Sequence, residues 1–124
     1  MGLEKQTLRM GNGKDHPQPG DPVELNYTGY LYDESNPDHH KGKEFDSSKR
    51  RGPLKATIGA GDVIRGWDEG VRQMSLGEKA ILTMSGYGSV EYAYGEKGFP
   101  GLIPPNASLV FEVELLKIKD HGLD

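Results

Sequence analysis

Alternation of apolar and polar residues along short segments is the feature that most limits what this chain can fold into. The clearest case is residues 109–115, where Leu109, Phe111, Val113 and Leu115 are the alternating apolar residues and Glu112 and Glu114 lie between the last three. The same alternation occurs at residues 23–28, 54–58 and 80–84. A period of two is typical of strands with one buried face. The sequence therefore predicts an antiparallel sheet with one face in solvent.

One short helix completes the expected fold. Ile64, Trp67, Val71 and Met74 are spaced at i, i+3, i+7 and i+10, which places them on one face of a helix. We expect this helix to cover the buried face of the sheet. Two further segments, an edge strand around Leu8 and Met10 and a short strand at Phe45, bring the expected total to five or six strands in an α+β fold.

Composition limits the domain count and the classes of partner. A chain of 124 residues with 34% hydrophobic content suits a single domain over residues 1–124. The net charge is −4 and the basic residues are scattered, so we expect binding neither to nucleic acid nor to a membrane. The absence of cysteine excludes disulfides and thiolate catalysis, and favours a reducing, cytoplasmic location.

The only tryptophan has two possible roles. Trp67 follows the glycine-bearing loop Gly59-Ala60-Gly61, and it is either an ordinary core residue or the floor of a pocket. The long loop between Gly86 and Ser108 carries four aromatic residues, Tyr87, Tyr92, Tyr94 and Phe99. Aromatic side chains around a concave surface are typical of small-ligand sites.

Several other chemistries do not fit the sequence. Gly61 to Gly66 has the glycine spacing of a phosphate-binding loop, but Trp67 and Asp68 stand where Lys and Ser or Thr are required. His39 and His40 are adjacent, which disfavours convergence on one metal ion. Ser47 beside Asp46 lacks the sequence pattern of a nucleophile elbow. We expect no metal and no cofactor.

Five separated motifs occur in the order and spacing of one known family. They are Tyr27-Thr28-Gly29, Phe45-Asp46-Ser47-Ser48, Val63-Ile64-Arg65-Gly66-Trp67-Asp68-Glu69-Gly70, Ala93-Tyr94-Gly95 and Ile103-Pro104-Pro105, which precedes the strand at 109–116. On these motifs the chain resembles the FK506-binding protein family over residues 20–118. The resemblance implies a curled antiparallel sheet wrapped around one short α-helix, and peptidyl-prolyl cis-trans isomerase activity.

The resemblance also implies roles for individual residues. It implies these catalytic residues: Tyr27, Phe45, Asp46, Trp67, Tyr94 and Phe111. It implies these further ligand-binding residues: Leu54, Asp62, Val63, Ile64, Phe99, Leu102 and Ile103. In this scheme Trp67 is the pocket floor, Asp46 and Tyr94 are polar contacts, and the Ile64 backbone N–H meets a ligand carbonyl.

The implied reaction needs no nucleophile. Rotation about an Xaa-Pro bond is opposed by a barrier of roughly 20 kcal/mol that comes from amide resonance. A twisted amide has lost that resonance and is less dipolar, so a dry aromatic pocket favours it over the planar form. Positioning of the carbonyls that flank the bond supplies the remaining part of the barrier reduction.

This chain departs from the family pattern at several places. Leu54 and Ala56 stand where many members have aromatic residues, and Phe99 stands where histidine is common. Either Arg50 or Arg51 is expected to pair with Asp46. Insertions at 32–40 and 87–90 lengthen a hairpin and the approach to Tyr94, and both are expected to change the surface at low cost to the fold.

Two functional classes remain open at this stage. The first is an active isomerase on proline-containing peptides or proteins, and the second is a binding or regulatory module with weak turnover. The resemblance implies that the chain binds FK506 and rapamycin, with drug-dependent calcineurin or TOR complexes, and that it is a monomer. A carbohydrate-binding or structural β-domain is a third, remote class.

Overall fold

The computed structural model describes residues 2–86 and 92–122 as one antiparallel sheet with a short helix against it. The elements are β1 Leu3–Arg9, β2 Pro22–Tyr32, β3 Lys41–Ser47, β4 Leu54–Thr57, α1 Arg65–Gly70, β5 Lys79–Met84, β6 Leu109–Ile118 and β7 His121–Gly122. Single 3₁₀ turns lie at Ser48–Arg50, Val71–Gln73 and Gly95–Lys97. The predicted α+β class is confirmed.

The strand order is β1-β5-β6-β2-β3, and every pair is antiparallel. The long strand β2 serves two partners on one side, because β4 pairs with residues 22–25 and β3 pairs with residues 28–32. β6 pairs with β2 along nearly its whole length. This central pair therefore carries the rest of the sheet.

Strand boundaries differ from the sequence-based expectation at three places. β1 begins at Leu3 and ends before Met10, whose side chain is exposed. β2 continues to Tyr32 because it forms the lengthened hairpin with β3. The two-residue strand β7 was not expected. It forms where the chain reverses after β6 and pairs His121 with Ile118, and two residues are too few to show an alternating pattern.

The core lies between the helix and the inner face of the sheet. Alternate residues of β5 and β6 point into it, and these are Ala80, Leu82, Met84, Leu109, Phe111, Val113 and Leu115. Trp67, Val71 and Met74 meet them from the helical side, as their spacing predicted. This burial of apolar surface is the main source of stability.

Two glycines allow α1 to approach the sheet closely. A Cβ at Gly66 would lie 2.4 Å from the Met84 sulfur, and one at Gly70 would lie 2.9 Å from Leu82 Cδ1. A side chain at either position would force the Met84 or Leu82 side chain, or the helix, to move. The two glycines therefore let the backbone of α1 lie directly against β5. Trp67 lies between them in the sequence.

The hairpin tip at residues 33–41 is organised by its own polar contacts. Asp33 accepts hydrogen bonds from the backbone and hydroxyl of Ser35, and the Asn36 amide donates to the Lys41 carbonyl. His39 and His40 both have positive φ, of 54° and 60°. The His40 ring lies 4.9 Å from the Tyr32 ring. The second insertion, at 87–90, lies outside the described residues.

A buried carboxylate joins β1 to the rest of the protein. Glu78 is 4% exposed and accepts hydrogen bonds from Lys5 Nζ at 2.7 Å, the Thr7 hydroxyl at 2.8 Å and the Ser75 backbone N–H at 3.0 Å. Burial alone would raise the pKa of Glu78, but these hydrogen bonds outweigh it and lower the pKa below its usual value. The carboxylate therefore stays charged and fully partnered.

No helix among residues 2–86 and 92–122 combines the length and the apolar character needed to cross a bilayer.

We expect Glu78→Ala to lower the free energy of unfolding by about 2–3 kcal/mol, because the Ser75 N–H and the Lys5 ammonium lose their acceptor in a buried setting. Urea denaturation followed by circular dichroism measures this change. The matched control is Glu4→Ala on β1, the strand that Glu78 joins to the rest of the protein; its exposed side chain should change stability by less than about 0.5 kcal/mol. Equal effects of the two variants would contradict the assignment.

Candidate active site

An aromatic pocket opens between the sheet and the loop that precedes α1. Its volume is about 420 Å³, and it is lined by Tyr27, Phe45, Asp46, Leu54, Gly61, Asp62, Val63, Ile64, Trp67, Tyr94 and Phe111. These residues come from β2, β3, β4, β6, α1 and two loops. The chain therefore builds this concavity from parts that are far apart in sequence.

Phe111 is the centre of the aromatic cluster. Its ring lies 5.1 Å from Trp67 and 5.6 Å from Phe45 by centroid, both in edge-to-face geometry, and 6.5 Å from Tyr27. Tyr27 in turn meets Trp67 edge-on at 4.9 Å. Edge-to-face contacts of this kind hold rings in fixed orientations. The pocket walls are therefore preorganised before any ligand arrives.

Gly29 makes room for two of these rings. It pairs with Phe111 across the β2–β6 ladder, and with Asp46 of β3 on the other side. A Cβ at this position would lie 2.6 Å from Phe111 and 2.7 Å from Phe45. Any larger residue would displace both rings. The role of Gly29 was not identified from the sequence, although it is part of the Tyr27-Thr28-Gly29 motif.

Trp67 combines the two roles that its sequence context left open. The side chain belongs to the apolar core and is only 4% exposed, yet it also lines the pocket. The small exposed fraction follows from the rings that contact it, Tyr27 and Phe111. Its indole Nε1 is buried and has no hydrogen-bond partner among the described residues. The tryptophan is thus a core residue that also lines the pocket.

Asp46 is a charged group that lines the pocket, and its carboxylate is held from three directions. Tyr27 donates its hydroxyl hydrogen at 2.6 Å, the Ser47 backbone N–H donates at 2.9 Å, and the Arg51 guanidinium forms an ion pair. Arg50 pairs instead with Glu44 at 2.9 Å. The choice between Arg50 and Arg51 is therefore resolved in favour of Arg51, which also donates to the Tyr27 oxygen at 2.8 Å.

This network fixes the protonation states in the pocket. Burial alone would raise the pKa of Asp46, but the hydrogen bonds from Tyr27, Arg51 and Ser47 outweigh it and lower the pKa. Burial and the neighbouring Asp46 carboxylate raise the pKa of Tyr27 to about 12. Burial, with a smaller contribution from Asp46, also raises the pKa of Tyr94. At neutral pH both phenols are protonated and Asp46 is ionised.

Besides the buried Trp67 indole, the pocket has further hydrogen-bond donors that are left unused. Within the described residues, neither the Ile64 backbone N–H nor the Tyr94 hydroxyl has a hydrogen-bond partner. Ile64 stands at the start of α1 with an extended backbone, and its carbonyl accepts the first hydrogen bonds of the helix from Trp67 and Asp68. Both donors are available to a ligand that enters the pocket.

Ten of the thirteen residues expected at the site line this pocket, and three do not. Phe99 and Leu102 are 48% and 50% exposed, and Phe99 contacts Tyr94 edge-on at 5.9 Å. Ile103 is buried and bonds through its backbone to Phe99. The lining residue absent from the expected set is Gly61, although its loop had been noted for its glycines.

A polar concavity elsewhere on the surface has a similar volume but a different character. It measures about 450 Å³ and is lined by Lys14, Asp15, His16, Gln18, Asp21, Leu76, Ile118, Lys119 and His121. Most of these side chains are charged or polar and exposed. It lacks the wall of packed aromatic rings, so the first pocket is the better candidate for an apolar ligand. Within residues 2–86 and 92–122, no group of His, Asp or Glu is arranged to hold a metal ion.

Comparison with known proteins agrees with this geometry. Residues 13–116 match the family described as "FKBP-type peptidyl-prolyl cis-trans isomerase". The chain is 97% identical to "FK506-binding protein 1B" of Aspergillus fumigatus over 124 residues, which is 100% of both chains.

Two more distant relatives also match almost end to end. The "Peptidyl-prolyl cis-trans isomerase" of Schizosaccharomyces pombe is 55% identical over 121 residues, 97% of each chain. "FK506-binding protein 1" of Yarrowia lipolytica is 56% identical over 119 residues, 95% of this chain and 99% of the relative. The chain therefore belongs to the family of FKBP-type peptidyl-prolyl cis-trans isomerases.

Proposed function

We propose that the aromatic pocket is where this isomerase binds proline and lowers the barrier to rotation of the Xaa-Pro bond. The observation that supports this most is the cluster of Tyr27, Phe45, Trp67 and Phe111 around a cavity of about 420 Å³. A pyrrolidine ring is apolar and compact, and it fits a hollow with aromatic walls. The proline ring rests on the Trp67 indole in this scheme.

The pocket favours the twisted amide by its environment. A planar amide owes its large dipole and its barrier of roughly 20 kcal/mol to resonance, and twisting removes both. Moving the planar form out of water into an apolar site is therefore less favourable than moving the twisted form. This difference lowers the barrier, because only interactions that are better in the transition state accelerate a reaction.

The polar groups position the chain on either side of the bond. The Ile64 N–H and the Tyr94 hydroxyl, which lack other partners in the described residues, donate to the flanking carbonyls. Asp46 stays ionised and paired with Arg51, so its role is to hold the Tyr27 hydroxyl and to set the electrostatic field of the wall. No residue gains or loses a proton in this mechanism.

The remaining contacts form the rim of the site. Leu54, Asp62 and Val63 line the pocket and are proposed to bind the ligand directly. Phe99, Leu102 and Ile103 lie on the loop after Tyr94, and we propose that they contact the parts of a larger ligand that extend beyond the proline. The exposed apolar surface of Phe99 and Leu102 supports this role.

Drug binding is proposed for the same pocket. The relatives from Aspergillus fumigatus and Yarrowia lipolytica are named FK506-binding proteins, and we propose that this chain binds FK506 and rapamycin. Complexes with calcineurin or TOR that depend on the drug follow as a further proposal. The insertion at 87–90, on the approach to Tyr94 in the sequence, is proposed to change the contacts with such a partner.

The organisation of the protein is proposed on similar grounds. One sheet and one apolar core include elements from β1 to β7, which supports a single domain over residues 1–124. We also propose a monomer in a cytoplasmic location, as the cysteine-free composition favours a reducing compartment.

The proposed function is tested by measuring turnover and binding in the same sample. Exchange spectroscopy on an Xaa-Pro tetrapeptide reports isomerisation, and FK506 titration with Trp67 fluorescence reports occupancy of the pocket. We expect catalysed exchange that FK506 abolishes in step with the fluorescence change. Binding without catalysis would instead support a regulatory module. The absence of both responses would reject the pocket as the site.

Replacing the pocket floor should reduce catalysis more than it reduces stability. We expect Trp67→Leu to lower kcat/KM by about tenfold, because the proline loses its aromatic contact surface. The control is Met74→Leu, a volume-conserving change on the same helical side of the core that does not line the pocket. Unfolding curves of both variants separate loss of fold from loss of activity. Full activity of Trp67→Leu would exclude the indole as the floor.

Catalysis should be insensitive to pH near neutrality. Tyr27, Asp46 and Tyr94 keep one protonation state between about pH 6 and 9, since both phenol pKa values are raised and the carboxyl pKa is lowered. We therefore expect a flat profile of kcat/KM over this range, measured on one peptide whose uncatalysed rate is recorded at each pH. A bell-shaped profile centred near neutrality would contradict catalysis by environment and indicate general acid–base chemistry.

A further inference from the structure

The outer edge of β4 carries backbone groups that point away from the sheet. The Ile58 N–H donates to the Asp21 carbonyl and the Ile58 carbonyl accepts from the Gly20 N–H, so the backbone groups of Ile58, directly after β4, point toward the segment that leads into β2. The direction of the backbone N–H and C=O groups alternates along a strand. Those of Leu54 and Ala56 therefore point toward β2, and those of Lys55 and Thr57 point outward. The Thr57 N–H agrees with this, because it donates to the Asp62 carboxylate at 3.0 Å instead of to a strand.

Lys55 is the open position on this edge. The alternation of the β2–β4 ladder directs its backbone N–H and C=O away from β2, and no bond outside the ladder satisfies them within the described part of the chain. The Thr57 N–H, by contrast, is capped by Asp62. An unpaired N–H and C=O on one outward-facing residue form a template for one pair of hydrogen bonds with an added strand. The edge is short, so a partner strand would pair at this residue and little beyond it.

This edge is continuous with the aromatic pocket. Leu54 lines the pocket. The next residue, Lys55, lines a second cleft beside it, which is smaller, at about 280 Å³. Asp62 lines both concavities and so marks their boundary. The full lining of this second cleft is Pro22, Val23, Glu24, Lys55, Ala56, Thr57, Asp62 and Lys119. A polypeptide leaving the pocket on this side therefore passes directly along β4.

We propose that a substrate polypeptide whose proline occupies the aromatic pocket adds to β4 as a short extra strand, hydrogen-bonded to the Lys55 N–H and C=O. This rests on the proposed function of that pocket. The occupant is the extended segment on one side of the proline, and its next side chains enter the second cleft. Strand addition of this kind takes its affinity from main-chain hydrogen bonds and tolerates many sequences.

The charges around the second cleft agree with backbone recognition. Its ionisable side chains are Glu24, Lys55, Asp62 and Lys119, two of each sign. Glu24 approaches Lys117 at 3.6 Å and Lys119 approaches Asp21 at 3.7 Å, so much of this charge is already balanced. The cleft selects for an extended backbone more than for a charged side chain. Protein segments and long peptides should therefore bind better than tetrapeptides.

The decisive variant is Lys55→Pro, with Lys55→Ala as its matched control. Proline removes only the outward N–H, because residue 55 makes no ladder bond to β2, and edge strands accept proline at such positions. Alanine removes the side chain and keeps the N–H. The substrates are an Xaa-Pro tetrapeptide and the same sequence extended by about six residues on its N-terminal or on its C-terminal side, long enough at roughly 3.3 Å per residue to pass Lys55.

We expect the wild-type protein and Lys55→Ala to turn over one of the extended peptides with a higher kcat/KM than the tetrapeptide. Lys55→Pro should lose about fivefold on that extended peptide, as one hydrogen bond is missing, and should keep the wild-type rate on the tetrapeptide. In the wild-type protein, the Lys55 amide should gain protection from hydrogen exchange with the extended peptide and none with the tetrapeptide. This last measurement stands even if Lys55→Pro fails to fold.

Several results would overturn the proposal. One is equal kcat/KM values for the extended peptides and the tetrapeptide. Another is an equal loss of kcat/KM in Lys55→Ala and Lys55→Pro, because that result would assign the effect to the side chain. An unchanged exchange rate of the Lys55 amide in the presence of the favoured extended peptide would also reject strand addition. A wild-type protein that turns over none of the peptides would instead reject the pocket's proposed function, and the strand proposal with it.

Discussion

The pairing of β2 with β6 is the constraint on which the rest of the structure depends. Its register sets Gly29 opposite Phe111, and the missing side chain at Gly29 is what allows the rings of Phe111 and Phe45 to meet. A slip of one residue would turn Phe111 to the solvent face and place Glu112 in the core. The same strands also bear Tyr27 and hold β4 and β3 in place. Fold and site are therefore specified by one register.

Around this pair, the protein separates its charged groups from its aromatic ones. The outer face of the sheet carries ion pairs such as Lys41 with Glu112 at 2.9 Å, while the inner face is apolar. Asp46 is the exception, as it lines the pocket among aromatic rings, and it is tied to Tyr27 and Arg51. An unpaired carboxylate there would bind water and raise the polarity of the cavity. The network lets the cavity keep a charged group without becoming a polar site.

Much of the fold was readable from the sequence because the main strands are half buried. The alternation at residues 109–115 and the helical spacing of Trp67, Val71 and Met74 both reflect a single apolar core. Their burial in the core is confirmed, but the α-helix is shorter than this spacing predicted: α1 ends at Gly70, Val71 lies in the 3₁₀ turn that follows, and Met74 lies just after that turn. β1 was only partly anticipated, since most of its side chains are exposed and leave no alternation to read. β7 has two residues and depends on its contact with Ile118, which no local pattern reveals.

The site was readable to a different extent. The aromatic members follow from five motifs in the right order, but the choice of Arg51 over Arg50 depends on how the 3₁₀ turn at Ser48–Arg50 directs two adjacent side chains. The sequence likewise could not show that Phe99 and Leu102 stand outside the pocket lining, because loop position is set by tertiary contacts. Which backbone groups of β4 face outward required the register of its pairing with β2.

The hairpin tip at residues 33–41 has a practical consequence. Its shape comes from side chains within the tip, such as Asp33 and Asn36, and its strained histidines are held by their immediate neighbours Asp38 and Tyr32. None of these residues lines the aromatic pocket. Lys41 at the end of the tip belongs to β3 and pairs with Glu112, but the surface residues 33–40 can be exchanged without disturbing distant chemistry. This tip is accordingly the natural place on the scaffold to graft an epitope, a fluorophore or a recognition peptide while leaving the enzyme intact.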